Sequence, residues 1–282
     1  MSRTDSQAAK AEEFRRLHDR VGVLILPNAW DVASARLFED QGFRAVATTS
    51  AGMMVSLGYT DGEEIPRTEF LAAVKRIARV LTVPLSVDVV GGFGGTPGTV
   101  VKTVKAVLAA GGVGINIEDF VHSAKKLMPL EKQVARIRAL VSFRDSQNVR
   151  FVINARTDAL RYADGDDAMK LKEAIARAQK YRDLGVDCVY PMGLVEAPSI
   201  SKFVKAVNFP TNVMVRKGLP PISELKRLGV TRVSFGPAAS YAAMGFLKRA
   251  SKEILGSGTY SSLTEGAITF DELNSLAVRK PT

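Results

Sequence analysis

The amino-acid sequence predicts a (β/α)8 barrel, an α/β fold in which eight parallel strands alternate with helices. Eight short apolar runs alternate with longer amphipathic segments along the 282 residues. The runs are apolar almost throughout, as expected of parallel strands buried on both faces. An α/β barrel commonly reaches about 250 residues as one domain, so we interpret 1–282 as a single barrel domain. A doubly wound open sheet is the alternative, but the glycine run at 91–95 lacks the spacing of that fold's phosphate-binding fingerprint.

The predicted elements follow one another in the order that a barrel requires. The predicted strands are 23–28, 44–50, 84–90, 113–118, 150–156, 187–192, 211–215 and 231–236. Amphipathic segments predict helices between them, the clearest at 66–80, 130–142 and 166–184. Several segments end in a glycine, which readily adopts the left-handed conformation at a helix end: Gly42, Gly112, Gly185 and Gly229. A short helix is expected within 1–20, and 239–282 is expected to form a C-terminal helical extension.

The composition excludes several classes of protein. No run of about twenty apolar residues is present, so no membrane span is expected. A single cysteine, Cys188, excludes an intrachain disulfide framework, and the charged segment 1–20 does not resemble a signal peptide; we therefore expect a cytoplasmic protein. The net charge is +10, but the basic residues are spread along helices and mixed with acids. We interpret them as solvated helix faces and expect no nucleic-acid partner.

Polar residues stand at the C-terminal ends of successive predicted strands. They are Asn28, Ser50, Asp88, Glu118 with Asp119, Asn154 with Arg156, and Asn212. A parallel barrel builds its active site from residues in these positions, so the sequence predicts an enzyme. We expect Glu118 and Asp119 to converge on the same mouth as Asp88.

The acidic residues at these strand ends indicate a cation site. Asp88 and Glu118 are the predicted metal ligands, and Asp61, in a loop after the second strand, is expected to approach them. Oxygen ligands without histidine suit Mg²⁺, with Mn²⁺ as the alternative. The competing interpretation is that the acids only accept backbone hydrogen bonds or pair with Arg156.

Other residues of these strand ends suit an anionic substrate. The guanidinium of Arg156 can hold a carboxylate in a bidentate manner and stabilise the negative charge of an enolate. The predicted substrate-binding residues are Arg156, Asn212 and the turn formed by Thr49, Ser50, Ala51 and Gly52. The turn is equally an ordinary strand-to-helix connection, and Asn212 and Asn154 are either substrate donors or amides that fix loops.

Two further residues carry reactive groups. His122 follows Glu118 closely and is placed to act as an acid or base, although a loop histidine is more often an exposed residue without a catalytic role. Cys188 lies inside an apolar strand, so we expect an inert, buried thiol.

Taken together, several of these segments resemble the isocitrate lyase/phosphoenolpyruvate mutase superfamily. The motifs are Leu-Pro-Asn-Ala-Trp-Asp (26–31), Thr-Thr-Ser-Ala-Gly (48–52), Ser-Leu-Gly-Tyr-Thr-Asp-Gly-Glu (56–63), Gly-Ile-Asn-Ile-Glu-Asp (114–119), Ile-Asn-Ala-Arg-Thr-Asp (153–158) and Leu-Gly-Val-Thr-Arg-Val-Ser-Phe-Gly-Pro (228–237). The resemblance implies an α/β barrel, Mg²⁺, and the making or breaking of a C–C or P–C bond beside a 2-oxo acid through an enolate. It also implies a homotetramer, a dimer of dimers, in which a C-terminal helix at 239–254 packs on a neighbouring subunit.

The resemblance assigns roles position by position. Asp88 matches the main metal-anchoring aspartate, Glu118 the acid on the next strand, and Asp61 a loop acid near the metal. Arg156 matches the substrate arginine. Ser50 with Ala51 matches the turn that holds the substrate carboxylate. We therefore predict catalytic roles for Arg156, Asp61 and Glu118.

The sequence departs from the family pattern in two places. The family carries a second acid two residues after the first, where this chain has Val90, and this loss weakens the expected metal site. The Lys-Lys-Cys-Gly-His loop of the true lyases is replaced by Ala-Lys-Lys-Leu-Met-Pro (124–129). Without its cysteine, cleavage of isocitrate or methylisocitrate loses its acid/base residue.

Three hypotheses follow. The first is a Mg²⁺-dependent lyase, decarboxylase or hydrolase of a small 2-oxo or 2-hydroxy dicarboxylate such as oxaloacetate. The second is a phosphonopyruvate mutase or hydrolase that acts on a P–C bond. The third is a barrel that has lost catalysis and only binds a ligand.

Overall fold

The computed structural model describes residues 3–18 and 22–277 as alternating strands and helices. The strands are β1 Leu24–Leu26, β2 Asn28–Ala29, β3 Val46–Thr48, β4 Leu85–Asp88, β5 Gly114–Glu118, β6 Phe120–Val121, β7 Lys126–Leu127, β8 Val152–Thr157, β9 Cys188–Pro191, β10 Asn212–Met214 and β11 Arg232–Ser234. The helices are α1 Arg3–Arg16, α2 Val32–Asp40, α3 Ser50–Ser56, α4 Arg67–Val80, α5 Pro97–Ala110, α6 Leu130–Asp145, α7 Ala159–Tyr162, α8 Asp167–Asp183, α9 Ala197–Val207, α10 Ile222–Arg227, α11 Ala238–Ser257, α12 Ser261–Thr264 and α13 Phe270–Ala277. None of the helices in these two ranges is long and apolar enough to cross a lipid bilayer.

All strands except β6 and β7 form parallel sheets, as predicted. One parallel sheet has the order β2-β3-β4-β5-β8-β9, and the other has the order β1-β11-β10. A parallel bridge between Val189 and Thr211 links β9 to the residue before β10. Each of the eight predicted runs overlaps at least one of these strands, and the α/β fold is therefore confirmed.

The register of the strands brings the predicted site residues to one edge. Asp88 lies opposite Asn116, and Glu118 lies opposite Arg156 on neighbouring strands. Because side chains alternate along a strand, Asn116 and Glu118 share one face of β5. Ile117 lies between them and is fully buried in the apolar core.

Helix α1 packs against the strands near their N-terminal ends. Phe14 is fully buried, and a Cβ at Gly114 would lie 2.5 Å from its ring. The glycine at this position therefore allows the phenyl ring to approach β5. The predicted N-terminal helix is confirmed over Arg3–Arg16, whereas residues 1, 2, 19 and 20 of that prediction lie outside the described residues.

The C-terminal extension is helical, as predicted, within 238–277, and the last five residues of the prediction lie outside the described part. Helix α13 packs on α2, where Arg36 Nε donates to the carbonyl of Leu276. Helix α11 exposes large apolar side chains, among them Tyr241, Met244 and Leu255, the last with 88% exposure.

Two details differ from the sequence prediction. The left-handed residue that ends α5 is Gly111 and not Gly112. A Cβ at Gly112 would lie 2.7 Å from the Val107 side chain, so this glycine serves close packing. The antiparallel pair β6–β7 and the 3₁₀ turn at His122–Ala124 were not predicted, and they place His122 beside the strand ends.

Candidate active site

A cavity of about 590 Å³ lies at the C-terminal ends of the strands. It is lined by nearly all of the predicted site residues, namely Thr49, Ser50, Ala51, Asp61, Asp88, Glu118, Arg156 and Asn212. Asn28, His122 and Asn154 line it as well. The structure therefore brings together groups from five different strands and from the loops that follow them.

Asp88 is held at this edge by several donors. Its Oδ1 accepts from Asn116 Nδ2 at 3.0 Å and from the Val90 N–H at 3.3 Å. Its Oδ2 accepts from the Ser50 N–H at 3.2 Å, at the first turn of α3. The N–H of Thr49 donates to the carbonyl of Ala29. Two of the donors predicted for the substrate thus serve the protein itself, and Ala51 and Gly52 remain the predicted backbone donors of this turn.

Asp61 stands at the rim of the cavity, near Asp88. Partial loss of hydration raises the pKa of Asp61, and the negative charge of Asp88 raises it further. A hydrogen bond from Ser50 and the charges of His122 and Arg156 act in the opposite direction. A carboxylate whose ionisation is disfavoured by a neighbouring carboxylate is a suitable place for a cation.

Arg156 is fixed by two carboxylates. Its Nη1 lies 2.7 Å from Glu118 Oε2, and its Nε and Nη2 donate to Asp158 at 2.7 and 2.8 Å. Burial acts to lower the pKa of Arg156, but the charges of Glu118 and Asp158 raise it well above its usual value. The guanidinium is therefore a permanently charged, oriented group in the cavity wall.

Glu118 forms a second contact with His122. Glu118 Oε1 lies 2.6 Å from His122 Nε2, and this hydrogen bond is the main reason that the pKa of His122 is raised. Burial raises the pKa of Glu118 to about 7, although Arg156 and His122 oppose that shift. The pair therefore holds a proton at the cavity near neutral pH. Both carboxylate oxygens of Glu118, a predicted metal ligand, are engaged by these side chains.

The expectation that Asp119 converges on the mouth is wrong. Its carboxylate is fully buried on the other face of the chain, where it accepts from the Asp158 N–H, Arg177 and Tyr181. The reason is the alternation of side chains along extended backbone, which sends neighbours to opposite faces.

Gly52 and Cys188 do not line the cavity either. A Cβ at Gly52 would lie 2.8 Å from both Thr49 and Trp30, so the structure shows close packing at this position. The contact of Gly52 with a substrate remains a prediction. Cys188 is fully buried, as expected, and burial raises the pKa of its thiol to about 12.

Sequence reasoning missed three residues of the site. Asp158 orients Arg156, Asn116 orients Asp88, and the Tyr190 ring lies 5.8 Å from the Arg156 guanidinium carbon. Alternation gave a usable signal for two of them. Asn116 stands two positions before Glu118 on β5, and Asp158 stands two positions after Arg156, just beyond the end of β8.

The acids present fit a magnesium ion held mainly through water. Within 3–18 and 22–277, no group of three or more His, Cys, Asp and Glu side chains is arranged as a ready metal site. Mg²⁺ does not need one, because it commonly uses one or two carboxylates and keeps several waters. Asp61 and Asp88 form such a pair at the mouth.

Comparison with known proteins agrees with this geometry. The model of the phosphoenolpyruvate phosphomutase family matches residues 14–255. The crystal structure of a Burkholderia cenocepacia J2315 protein, described provisionally as a lyase/mutase, superposes with a TM-score of 0.90 at 36% identity and covers 97% of both chains. The 2-methylisocitrate lyase of Escherichia coli K12 is 31% identical in an alignment of 254 residues that covers 85% of this chain and 82% of the lyase.

This chain is also similar to an enzyme whose structure contains a bound product. Oxaloacetate acetylhydrolase in complex with its product oxalate superposes with a TM-score of 0.83 at 25% identity, over 95% of this chain and 94% of the hydrolase. The family match spans most of the chain, and the motifs that carry the resemblance lie within it. The chain therefore belongs to the phosphoenolpyruvate phosphomutase family, within the isocitrate lyase/phosphoenolpyruvate mutase superfamily.

Proposed function

We propose that this chain is a Mg²⁺-dependent enzyme that breaks a C–C bond in a small 2-oxo or 2-hydroxy dicarboxylate through an enolate. The observation that carries the proposal is the grouping in one cavity of a fixed, buried cation, Arg156, with the acid pair Asp61 and Asp88. The names of the relatives, a lyase and an oxaloacetate acetylhydrolase, support a reaction of this kind.

The chemistry follows from the positions of the charges. Asp61 and Asp88 would hold Mg²⁺, which would supply Lewis-acid polarisation of a carbonyl and a carboxylate. Arg156 stabilises the negative charge that develops on the enolate oxygen, and its two carboxylate partners hold it in place before the reaction. The Glu118–His122 pair is the group that we assign to deliver a proton to the enolate carbon.

The substrate must be small and must not depend on the missing cysteine. Decarboxylation of oxaloacetate forms the pyruvate enolate directly, so oxaloacetate is the first substrate to test. The turn at Ala51 and the Asn212 amide are the proposed contacts of the substrate carboxylates.

Turnover of oxaloacetate with Mg²⁺, measured as pyruvate and corrected for the rate in buffer with the same Mg²⁺, tests the proposal. Arg156→Lys is expected to lower kcat by about 10²- to 10³-fold, because lysine cannot keep the forked geometry. Arg144→Lys is the matched control: Arg144 is also buried and pairs with two carboxylates, Asp145 and Asp187, away from the cavity. Full turnover by Arg156→Lys would remove the assigned role.

Absence of Mg²⁺-dependent turnover of any 2-oxo or 2-hydroxy acid, together with retained oxalate binding, would favour the hypothesis of a barrel that only binds a ligand. Calorimetric titration of oxalate with Mg²⁺ and then with EDTA measures that binding. Because Asp88 is a predicted metal ligand, an Asp88→Ala variant tests whether oxalate binding depends on the metal.

A second candidate is P–C bond chemistry on phosphonopyruvate, which the family model favours by its description. The same enolate stabilisation by Arg156 applies. Phosphorus NMR separates the two candidates, because the appearance of a new phosphorus signal would support this one and its absence over long incubation would exclude it.

We also propose that the two parallel sheets close into one barrel and that α11 is exchanged between subunits of a homotetramer. Closure is supported by the pairing of β1 with β11 and by the Val189–Thr211 bridge. Exchange is supported by the exposed apolar side chains of α11. Sedimentation should show a tetramer that dissociates in a Leu255→Asp variant; a monomeric wild type would contradict the exchange.

A further inference from the structure

The interior of the molecule below the acid pair carries polar groups that lack partners. Seven buried side-chain atoms of the described residues have no hydrogen-bond partner, and four of them belong to residues that line the same cavity. They are Ser86 Oγ, Asn154 Oδ1, Asn212 Oδ1 and Arg232 Nε. Buried polar atoms are nearly always paired, so this concentration in one cavity points to a ligand.

Arg232 is the group whose burial without a partner costs the most free energy, because it is charged. It is 2% exposed, and its one hydrogen bond to the described residues joins Nη1 to His18 Nε2 at 3.3 Å. His18 is neutral, since burial and the charge of Arg232 lower its pKa to about 3. No carboxylate of the described part of the chain forms an ion pair with Arg232. A buried charge without a counter-ion is costly, and the Phe14 ring, 5.9 Å away, compensates only a little of that cost.

Hydrogen bonds to neighbouring groups determine which atom of each asparagine amide faces the interior. Asp88 only accepts, so Asn116 presents Nδ2 to it and turns Oδ1 towards Asn154. Asn154 therefore donates through Nδ2 and leaves Oδ1 facing the cavity as an acceptor. Asn212 is not fixed in this way, because its partner, the Ser234 hydroxyl, both donates and accepts.

We propose that this interior binds a small anion of carboxylate size against Arg232. Arg232 Nε donates to the anion, and the Ser86 hydroxyl and the Asn212 amide are the further donors. Asn212 lies directly opposite Arg232 on the neighbouring strand. A water that donates to Asn154 Oδ1 completes the set.

The anion has two sources with the same chemistry. It is a free ion, or it is the second carboxylate of the proposed dicarboxylate substrate, whose first carboxylate lies near Asp88 and Arg156. The second source rests on the proposed function. The cavity connects the two positions, because both Asp88 and Arg232 line it.

Arg136 provides a matched control. It is also a buried arginine with unpartnered nitrogens, Nε and Nη2, but it lines a different cavity and donates to Gln133 and Met128. An Arg136→Gln variant therefore reports the general effect of losing a buried guanidinium.

The first test measures thermal unfolding in EDTA as sodium formate replaces sodium gluconate, an anion too large for the interior, at constant ionic strength. We expect a rise of Tm that saturates, on the order of 3 °C at ten times the dissociation constant. The response should be lost in Arg232→Gln and kept in Arg136→Gln. A wild-type response that does not saturate, or an equal response in Arg232→Gln, would overturn the proposal.

A second test does not depend on the folding of a variant. Wild-type crystals grown or soaked in bromide should show an anomalous peak beside Arg232 Nε. An interior that holds only water, without such a peak, would contradict the anion site.

Calorimetry distinguishes the two sources. Malate, a 2-hydroxy dicarboxylate, is titrated with Mg²⁺ at low and high formate, and lactate serves as its monocarboxylate counterpart. If the second carboxylate occupies the site, the apparent Kd of malate rises in proportion to formate while that of lactate does not. If formate does not compete, the occupant is a free ion. Failure of malate to bind would count against the proposed function and leave the formate and bromide results standing.

Discussion

The protonation of His18 provides a quantitative test of the packing beneath the site. His18 is 5% exposed; its Nδ1 lies 2.7 Å from the Phe14 carbonyl, and its Nε2 faces Arg232 Nη1. Arginine only donates, so Nε2 must accept and Nδ1 must carry the proton. A second proton, on Nε2, would place a positive charge next to the Arg232 guanidinium in a buried environment. The folded protein therefore keeps His18 neutral, with its pKa lowered from 6.5 to about 3 by burial and by Arg232.

The sign and size of the effect follow from proton linkage. Between pH 6.5 and 3 the unfolded chain binds a proton at His18 and the folded chain does not, so stability falls as the pH falls. Each pH unit below 6.5 costs about 1.4 kcal/mol. We therefore expect His18 to remove about 2 kcal/mol from the free energy of unfolding between pH 7 and pH 5.

Urea unfolding of the wild type and of His18→Gln at both pH values measures this contribution. Glutamine keeps an acceptor for Arg232 and a donor for Phe14 but does not titrate. The other titrating groups are common to both proteins, so the difference between the two pH-dependent losses isolates His18. Equal losses in the two proteins would refute the reasoning, because His18 would then protonate as readily in the folded state as in the unfolded state.

Two further predictions concern buried positions. Gly52→Ala should lower the free energy of unfolding by about 1–3 kcal/mol in urea, because its Cβ would lie 2.8 Å from Thr49 and Trp30, whereas Gly98→Ala, in a helix with nothing within 4 Å, should be neutral or stabilising. An equal effect of the two changes would contradict the packing argument. Cys188 should react with a thiol reagent only as fast as the protein unfolds, because it is fully buried and its pKa is raised to about 12. Rapid labelling of the native protein would show that β9 is accessible.

The fold could be predicted from the sequence because parallel strands leave a local signal. Each buried strand is an apolar run of a few residues, and the helices between them carry an apolar stripe, as α4 does with Phe70, Val74 and Ile77. The pair β6–β7 was missed because two residues per strand carry no periodic pattern. The left-handed end of α5 was displaced by one residue because two glycines stand side by side and only packing distinguishes them.

The candidate site could be predicted in part for a similar reason. Strand ends are visible in the sequence, so the polar residues there were identified, and seven of them line the cavity. The direction of each side chain depends on register and twist, which is why Asp119 was placed in the mouth and Arg232 was not noticed in the interior. The sequence signal for Arg232 was an arginine inside a predicted strand, in the segment Thr-Arg-Val-Ser-Phe.

Position 90, where the family pattern has its second acid, carries a valine with left-handed backbone in this chain. Val90 has a φ of 55° and is 1% exposed within the apolar core. A β-branched residue in this conformation costs about 1–2 kcal/mol.

The turn at Val90 nevertheless serves the site through its main chain. The N–H of Val90 donates to Asp88, and its carbonyl accepts from the N–H of Glu118 at 3.0 Å. One peptide segment thus positions both predicted metal ligands. The side chain at position 90 is buried in the core and does not line the cavity. The metal site that we propose therefore rests on Asp88 and Asp61.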